Sequence, residues 1–138
     1  MADPPVTPRY EHSETLDGLI GFVIDDDGAE EPGRARGHLP IHPGVCQPMG
    51  IVHGGVYAAL AETLASMGTA RVVMHEGKGA MGMSNLTTFL RPVSGGTVHA
   101  SARAIHRGRT TWVWEVELRD DADRLCATSR VTIAVRGR

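Results

Sequence analysis

The feature that most limits how this chain can fold is the run Val52-His53-Gly54-Gly55-Val56-Tyr57-Ala58-Ala59-Leu60-Ala61-Glu62-Thr63-Leu64-Ala65-Ser66-Met67. Two glycines stand where a helix would begin, and the residues behind them are rich in Ala and Leu and free of Gly and Pro as far as Met67. These start signals and the apolar period predict a helix from about His53 to Val72. Val56, Leu60, Leu64 and Met67 succeed one another at spacings of four, four and three, so they share one stripe. Alanine fills most other positions and lets neighbouring backbone come close, which predicts a helix enclosed on several sides. Glu62 is the odd residue there. Burial disfavours a charged carboxylate, so it calls for partners or a task.

The flanking segments read mainly as strands. Residues 1–9 hold Pro4, Pro5 and Pro8, and residues 1–12 as a whole are expected to be a flexible tail before a single domain over 13–138. Ser13–Asp17 suggests a short helical turn. Leu19–Ile24 reads as an apolar strand ended by Asp25-Asp26-Asp27-Gly28. That acidic run lacks the later ligand positions of a calcium loop and reads as a hairpin turn. Gly33–Ile41 is the return strand, and His42–Gly50 a loop with Pro43 and Pro48 on either side of Gln47. After the helix, Gly77–Gly82 reads as a turn. Strands are expected over Ser84–Arg91, Thr97–His106, Thr110–Arg119 and Leu125–Val135. In the third of these Trp112, Trp114, Val116 and Leu118 alternate onto one face; in the last, Ala127, Ser129, Val131, Ile133 and Val135 do so. Short links favour antiparallel pairing. The expected class is α+β, one antiparallel sheet with a long helix on its concave face. The other face is expected to be apolar in places and to meet a second subunit.

Composition narrows the function classes. The chain has 138 residues, of which 41% are hydrophobic, enough for one real core. A net charge of −2 gives no basic field for nucleic acid. No apolar run is long enough to span a bilayer. Cys46 and Cys126 have neither a metal spacing nor a disulfide framework, so both read as inert and the expected setting is cytoplasmic.

Several of these segments together carry a resemblance. Gln47-Pro48-Met49-Gly50-Ile51-Val52-His53-Gly54-Gly55-Val56, followed by Ala61-Glu62-Thr63-Leu64-Ala65-Ser66, resembles the hotdog-fold acyl-CoA thioesterases. Among these it is similar to the phenylacetate-pathway type, the glutamate-bearing hydroxybenzoyl-CoA type and the dihydroxynaphthoyl-CoA type. Phe89-Leu90-Arg91-Pro92 and Arg124–Arg130 look like family strands, and the likeness spans roughly residues 15 to 136. The resemblance implies a hotdog fold and hydrolysis of an acyl-CoA, most specifically an aromatic one, without metal or other cofactor. It implies Glu62 as nucleophile or general base, Gly54 N–H as the group polarising the carbonyl, and Gln47 and Ser66 as orienting groups. His53 is either a substrate contact or a cap. Gln47 reads equally as a plain loop residue, and Ser66 as a packing residue. Gly55, Arg91, Arg107, Arg109, Thr110 and Thr111 are the residues expected to bind substrate and CoA, although Arg107 and Arg109 also read as solvated turn charges. The acyl pocket is expected to be walled by Met49, Met67, Met81 and Met83. A short or medium fatty acyl-CoA substrate, or a non-catalytic acyl-CoA-binding module, is the alternative.

Physical chemistry asks for similar parts. Thioester hydrolysis puts negative charge on the carbonyl oxygen, and a helix N-terminus offers unpaired N–H groups and a positive dipole end. A carboxylate must then reach the carbonyl carbon directly or through one water. Ser66, four residues after Glu62, is its neighbour on the helix and within reach of a hydrogen bond. Gly54 and Glu62 are eight positions apart, about 12 Å along a helix axis. One helix therefore cannot present both to one carbonyl. The expected unit is a homo-oligomer, a dimer with shared sites and further a tetramer, in which Glu62 and Ser66 of one subunit face Gln47 and Gly54 of the other.

Overall fold

A computed structural model describes residues 7–25 and 31–137. In chain order the elements are a five-residue helix α1 (Leu16–Ile20), β1 (Val23–Asp25), β2 (Arg34–Pro40), the long helix α2 (Gly54–Val73), β3 (Lys78–Phe89), β4 (Thr97–Arg107), β5 (Thr111–Arg119) and β6 (Leu125–Gly137). Short 3-10 turns stand at His12–Glu14, Pro43–Val45 and Met74–Glu76. The strands form one sheet in the order β1-β2-β4-β5-β6-β3, antiparallel at every pairing. This is the α+β arrangement the sequence predicts, an antiparallel sheet curved around one central helix.

The core lies between the sheet's concave face and α2. Leu60, Ala61, Leu64 and Ala65 on the helix are fully enclosed, as are Val98, Trp114, Val116, Leu118, Val131 and Ile133 on the sheet. The two alternating patterns of β5 and β6 face this core as expected. Val56 and Met67 pack at its margin rather than in it, because Tyr57, Gly68 and Thr69 turn the buried stripe of the helix slightly.

Two expectations are corrected. Leu19 and Ile20 close α1 instead of opening a strand, and only Val23–Asp25 pairs with β2. Gly21 supplies the reason. At φ +82 it caps α1, its N–H bonding Asp17 O and Gly18 O, and the strand starts only beyond it. The run from Lys78 to Gly82 is strand, not turn; only Gly77 turns, at φ +71. The proposed acidic hairpin turn, from Asp26 on, lies outside the described residues. The convex face carries ion pairs over its middle strands: Glu115 pairs with both Arg103 and Arg130, and Arg119 with Glu117. Exposed apolar side chains gather instead on β3 and just past its end, at Met81, Met83, Leu86, Phe89 and Leu90. β3 is the last strand of the sheet and its outer edge is unpaired among the described residues.

Candidate active site

The loop before α2 is folded so that two N–H donors are left over. Gln47 N–H bonds Ile51 O at 2.8 Å and Gly50 N–H bonds Gln47 O at 2.9 Å, a tight turn closed by the Cys46–Val52 pairing. The Gln47 side-chain carbonyl accepts Met49 N–H at 2.7 Å. Its NH2 group remains without a partner among the described residues. His53 is the N-cap of α2: Nδ1 accepts Gly55 N–H at 2.9 Å, and its backbone oxygen accepts Val56 N–H at 2.9 Å. Gly54 N–H, between them, has no partner among the described residues. The helix start thus points one backbone donor outward at the positive end of its dipole.

These groups border a cleft of about 520 Å³ lined by Gln47, Ile51, Val52, His53, Gly54, Gly55 and Tyr57 on the helix side and by Phe89, Leu90, Arg91 and Pro92 on the other. The Phe89 ring lies so close over Gly54 that a Cβ there would meet it at 2.7 Å. Glycine is what allows the approach. Gly55, whose N–H is taken by His53, serves as wall and not as donor. Within the single chain the expected methionines do not wall this cleft. Met49, Met81 and Met83 are exposed and Met67 sits about three and a half turns along α2, so none lines this cleft within the chain. Tyr57 and Phe89 take their place. The sequence offered one hint of this, since Tyr57 is three residues from Gly54 and therefore on the same side of the helix.

Among the described residues no carboxylate lines the cleft. Glu62 is exposed on α2 and lies along β3, where a Cβ on Gly82 would stand 2.9 Å from its Oε1. The expected hydrogen bond between Ser66 and Glu62 is not made. The Glu62 carboxylate leans toward β3, and Ser66 stays half-buried beside it. The expected CoA-binding residues fall in two groups. Arg91 borders the cleft. Arg107 and Arg109 line a second depression of about 510 Å³ with Lys78, Glu76 and Trp112, and the Arg107 guanidinium lies 4.8 Å from the Trp112 ring centre. Thr110 and Thr111 adjoin it, Thr110 O accepting Val135 N–H at 2.9 Å. That depression is at the far end of α2 from Gly54, about 30 Å along the axis of its 20 residues. Within one chain, then, the structure brings Gln47, His53, Gly54, Gly55 and Arg91 together and keeps Glu62, Ser66 and the Arg107–Thr111 group apart from them.

Known proteins share this fold. The family model described as the thioesterase superfamily matches residues 49–127. The 1,4-dihydroxy-2-naphthoyl-CoA hydrolase of Listeria monocytogenes is 39% identical over 106 residues, covering 77% of this chain and 85% of that protein. The crystal structure of a thioesterase from Haemophilus influenzae superposes with a TM-score of 0.83 at 33% identity, over 91% of this chain and 85% of that one. A glutamine-to-alanine mutant of a thioesterase from Staphylococcus aureus superposes at 0.82 with 30% identity, over 88% and 98% of the two chains, as does a glutamate-to-alanine mutant of the same protein. The chain belongs to the thioesterase superfamily and is a thioester hydrolase of the hotdog fold.

Proposed function

We propose that the chain hydrolyses acyl-CoA thioesters with an aromatic acyl group, hydroxybenzoyl or dihydroxynaphthoyl in type, to free acid and CoA, and that it does so as a homodimer with two shared sites. One observation carries the reading. The cleft at the start of α2 offers two unpartnered donors, Gly54 N–H and the Gln47 NH2, and no acid, whereas Glu62 stands exposed beside the unpaired edge of β3. A second copy seated on that edge supplies the missing carboxylate. Two further points support it. The relative from Listeria acts, by its name, on a dihydroxynaphthoyl thioester. In the Staphylococcus thioesterase the mutated glutamine and glutamate lie fifteen residues apart, the same spacing as Gln47 and Glu62.

In the reaction the thioester carbonyl oxygen accepts from Gly54 N–H and the Gln47 amide, and the dipole of α2 adds to their effect as negative charge builds there. The partner's carboxylate, at Glu62, acts on the carbonyl carbon. It either attacks, giving an anhydride and expelling the CoA thiolate, with water then releasing the acid and restoring Glu62, or it takes a proton from a water that attacks in its place. Labelled water in a single turnover separates the two by whether the label enters the enzyme or the product. No cofactor enters either route. Arg91 meets the CoA phosphates at the cleft mouth. Antiparallel pairing of two β3 edges brings the Arg107, Arg109, Thr110 and Thr111 end of one subunit toward Arg91 of the other, so that both groups can serve one CoA.

Mixing Glu62→Ala subunits with Gln47→Ala subunits tests the shared site. Each homodimer is inactive, and a mixed dimer regains one intact site of two. A 1:1 mixture that exchanges subunits recovers about a quarter of the wild-type rate. No recovery, with exchange verified by mass, refutes the sharing. A panel of aryl- and alkyl-CoA thioesters followed by free-thiol release tests the substrate. Alkyl preference would reassign it to a fatty acyl thioester, and saturable binding without thiol release would make the chain a sensor.

A further inference from the structure

We propose that His38 and His99 together bind a divalent transition-metal ion of the Zn²⁺ or Ni²⁺ class on the convex face of the sheet. The two residues are register partners on β2 and β4, so they stand directly opposite each other across an antiparallel pair. Their neighbours Leu39 and Val98 are fully buried on the concave side. Side chains alternate along a strand, so both imidazoles point outward, 35% and 54% exposed.

Each ring is tied by one nitrogen to its own aspartate. His38 Nδ1 lies 2.8 Å from Asp25 Oδ1, and His99 Nε2 lies 2.8 Å from Asp121 Oδ1. Asp121 is held in turn, its Oδ2 accepting Thr97 N–H at 3.0 Å. Strand order puts these carboxylates on the outer flanks of the pair: β1, which carries Asp25, lies beyond β2, and Asp121 follows β5, which lies beyond β4. A carboxylate only accepts, so the bonded nitrogen donates. The second nitrogen of each ring, His38 Nε2 and His99 Nδ1, is directed away from its carboxylate, toward the gap between the two residues. Neither has a hydrogen-bond partner among the described residues.

Histidine ligands in metal sites are built this way, one nitrogen free to bind and the other oriented by a carboxylate. Directly opposed residues have Cβ atoms about 4.5–5.5 Å apart, so two rings can meet one ion at about 2.0–2.1 Å. Asp25, His99 and Asp121 border a depression of about 510 Å³ that carries five carboxylates against two arginines, Arg36 and Arg119. Its field favours a cation, and its open side leaves the ion's other positions to water. Imidazole nitrogen suits Zn²⁺ and Ni²⁺, whereas Mg²⁺ and Ca²⁺ prefer oxygen. The sheet separates this site from α2, so the ion takes no part in the hydrolysis. It joins β2 to β4 and stabilises the fold that binds it.

The test titrates tag-free protein, stripped with EDTA and dialysed, with ZnCl2 in a calorimeter, for wild type, His38→Ala, His99→Ala and Asp25→Asn. We expect one saturable Zn²⁺ per chain in wild type and a melting temperature that rises with Zn²⁺ concentration. Each histidine variant should bind more than tenfold more weakly, and Asp25→Asn about tenfold more weakly through the loss of its orienting carboxylate. CaCl2 should give neither heat nor stabilisation. If an alanine variant melts lower than wild type in EDTA, His38→Gln and His99→Gln, which keep the bulk, take its place. No saturable uptake of Zn²⁺ by wild type overturns the inference. Undiminished uptake after loss of either histidine does so too, and so does equal binding of Ca²⁺, which would assign the cation to the carboxylates alone.

Discussion

Thr69 shows how one side chain secures the helix to the sheet. Its hydroxyl donates to Ala65 O at 2.8 Å and accepts from the Trp114 indole N–H at 2.8 Å, with all three residues fully buried. Thr69→Val keeps the shape and removes both bonds, leaving a buried indole N–H unsatisfied. We expect a loss of about 1–3 kcal/mol in urea unfolding, with Thr69→Ser close to wild type. Equal stabilities would show that Trp114 finds another acceptor. Asp120 does the corresponding work in the β5–β6 turn. It accepts the N–H groups of Arg124 and Ala122, each at 2.9 Å, and the Arg124 guanidinium at 2.8 Å. The backbone bond from Arg124 is the largest of the influences holding its carboxyl below the ordinary 3.8. A carboxyl whose pKa is lower folded than unfolded adds stability above the unfolded value and loses it as pH falls through the folded one. Stability should therefore decline in acid below about pH 3.8, and Asp120→Asn should flatten that decline. Asp121, lowered chiefly by its hydrogen bond from His99, leaves a residual slope. An unchanged acid profile in Asp120→Asn would refute the assignment.

At the scale of elements, the contact between α2 and β3 decides where the candidate acid points. Asn85 Nδ2 donates to Ala58 O at 2.8 Å, and Asn85 Oδ1 accepts from the Thr87 hydroxyl, itself 2.8 Å from Ser129 Oγ. Ala58 precedes Glu62 by one turn, so this chain of bonds fixes the helix against the strand next to the carboxylate. Gly82 leaves room for that carboxylate: a Cβ there would stand 2.9 Å from Glu62 Oε1. Gly82→Ala should push Glu62 aside, lowering kcat severalfold with the melting temperature little changed. An unaltered kcat would mean that the Glu62 position seen beside β3 is not the working one. This contact also explains what the sequence disclosed and what it hid. Helix α2 was legible because its caps, its apolar spacing and the lack of Gly and Pro between Val56 and Met67 agree. β5 and β6 were legible because each alternates over at least seven residues. The start of β3 was misread because Gly79 and Gly82 look like turn residues, whereas Gly82 is small because a helix side chain lies on it. α1 was misread because a six-residue run such as Leu19–Ile24 cannot distinguish a period of two from one of 3.6. Gln47 and Gly54 were legible as a motif. Phe89 as a cleft wall was not, since its role depends on a helix 35 residues away in sequence.

For the whole molecule, the geometry fixes how two copies would have to meet. Glu62 lies at Gly82 and Gly54 lies at Phe89, both toward the concave side of the same edge strand. For Glu62 of one subunit to reach Gly54 of the other, Gly82 must face Phe89 across an antiparallel β3–β3 pairing. The strand has a bulge between Gly82 and Ser84, so one residue there adds no step. Counting inward from both ends then places the two-fold axis at Leu86, with Asn85 opposite Thr87 and Ser84 opposite Thr88. Residues directly opposite in antiparallel strands share a face, and the register obeys this. Asn85, Thr87 and Phe89 alternate onto the concave side, while Leu86 points to the convex side, 72% exposed in the single chain. A leucine that meets its own copy on the axis is covered on assembly. Leu86→Cys should therefore form an interchain disulfide readily under mild oxidation, in a Cys46→Ser, Cys126→Ser background, while Asn85→Cys and Thr87→Cys cross-link only when mixed with each other. The cross-linked Leu86→Cys dimer should keep its thioesterase activity, because the bond would join strands already in contact. Rapid cross-linking of Asn85→Cys alone, or a Leu86→Cys dimer that is inactive until reduced, would place the axis elsewhere and separate Glu62 from the donors of the neighbouring cleft.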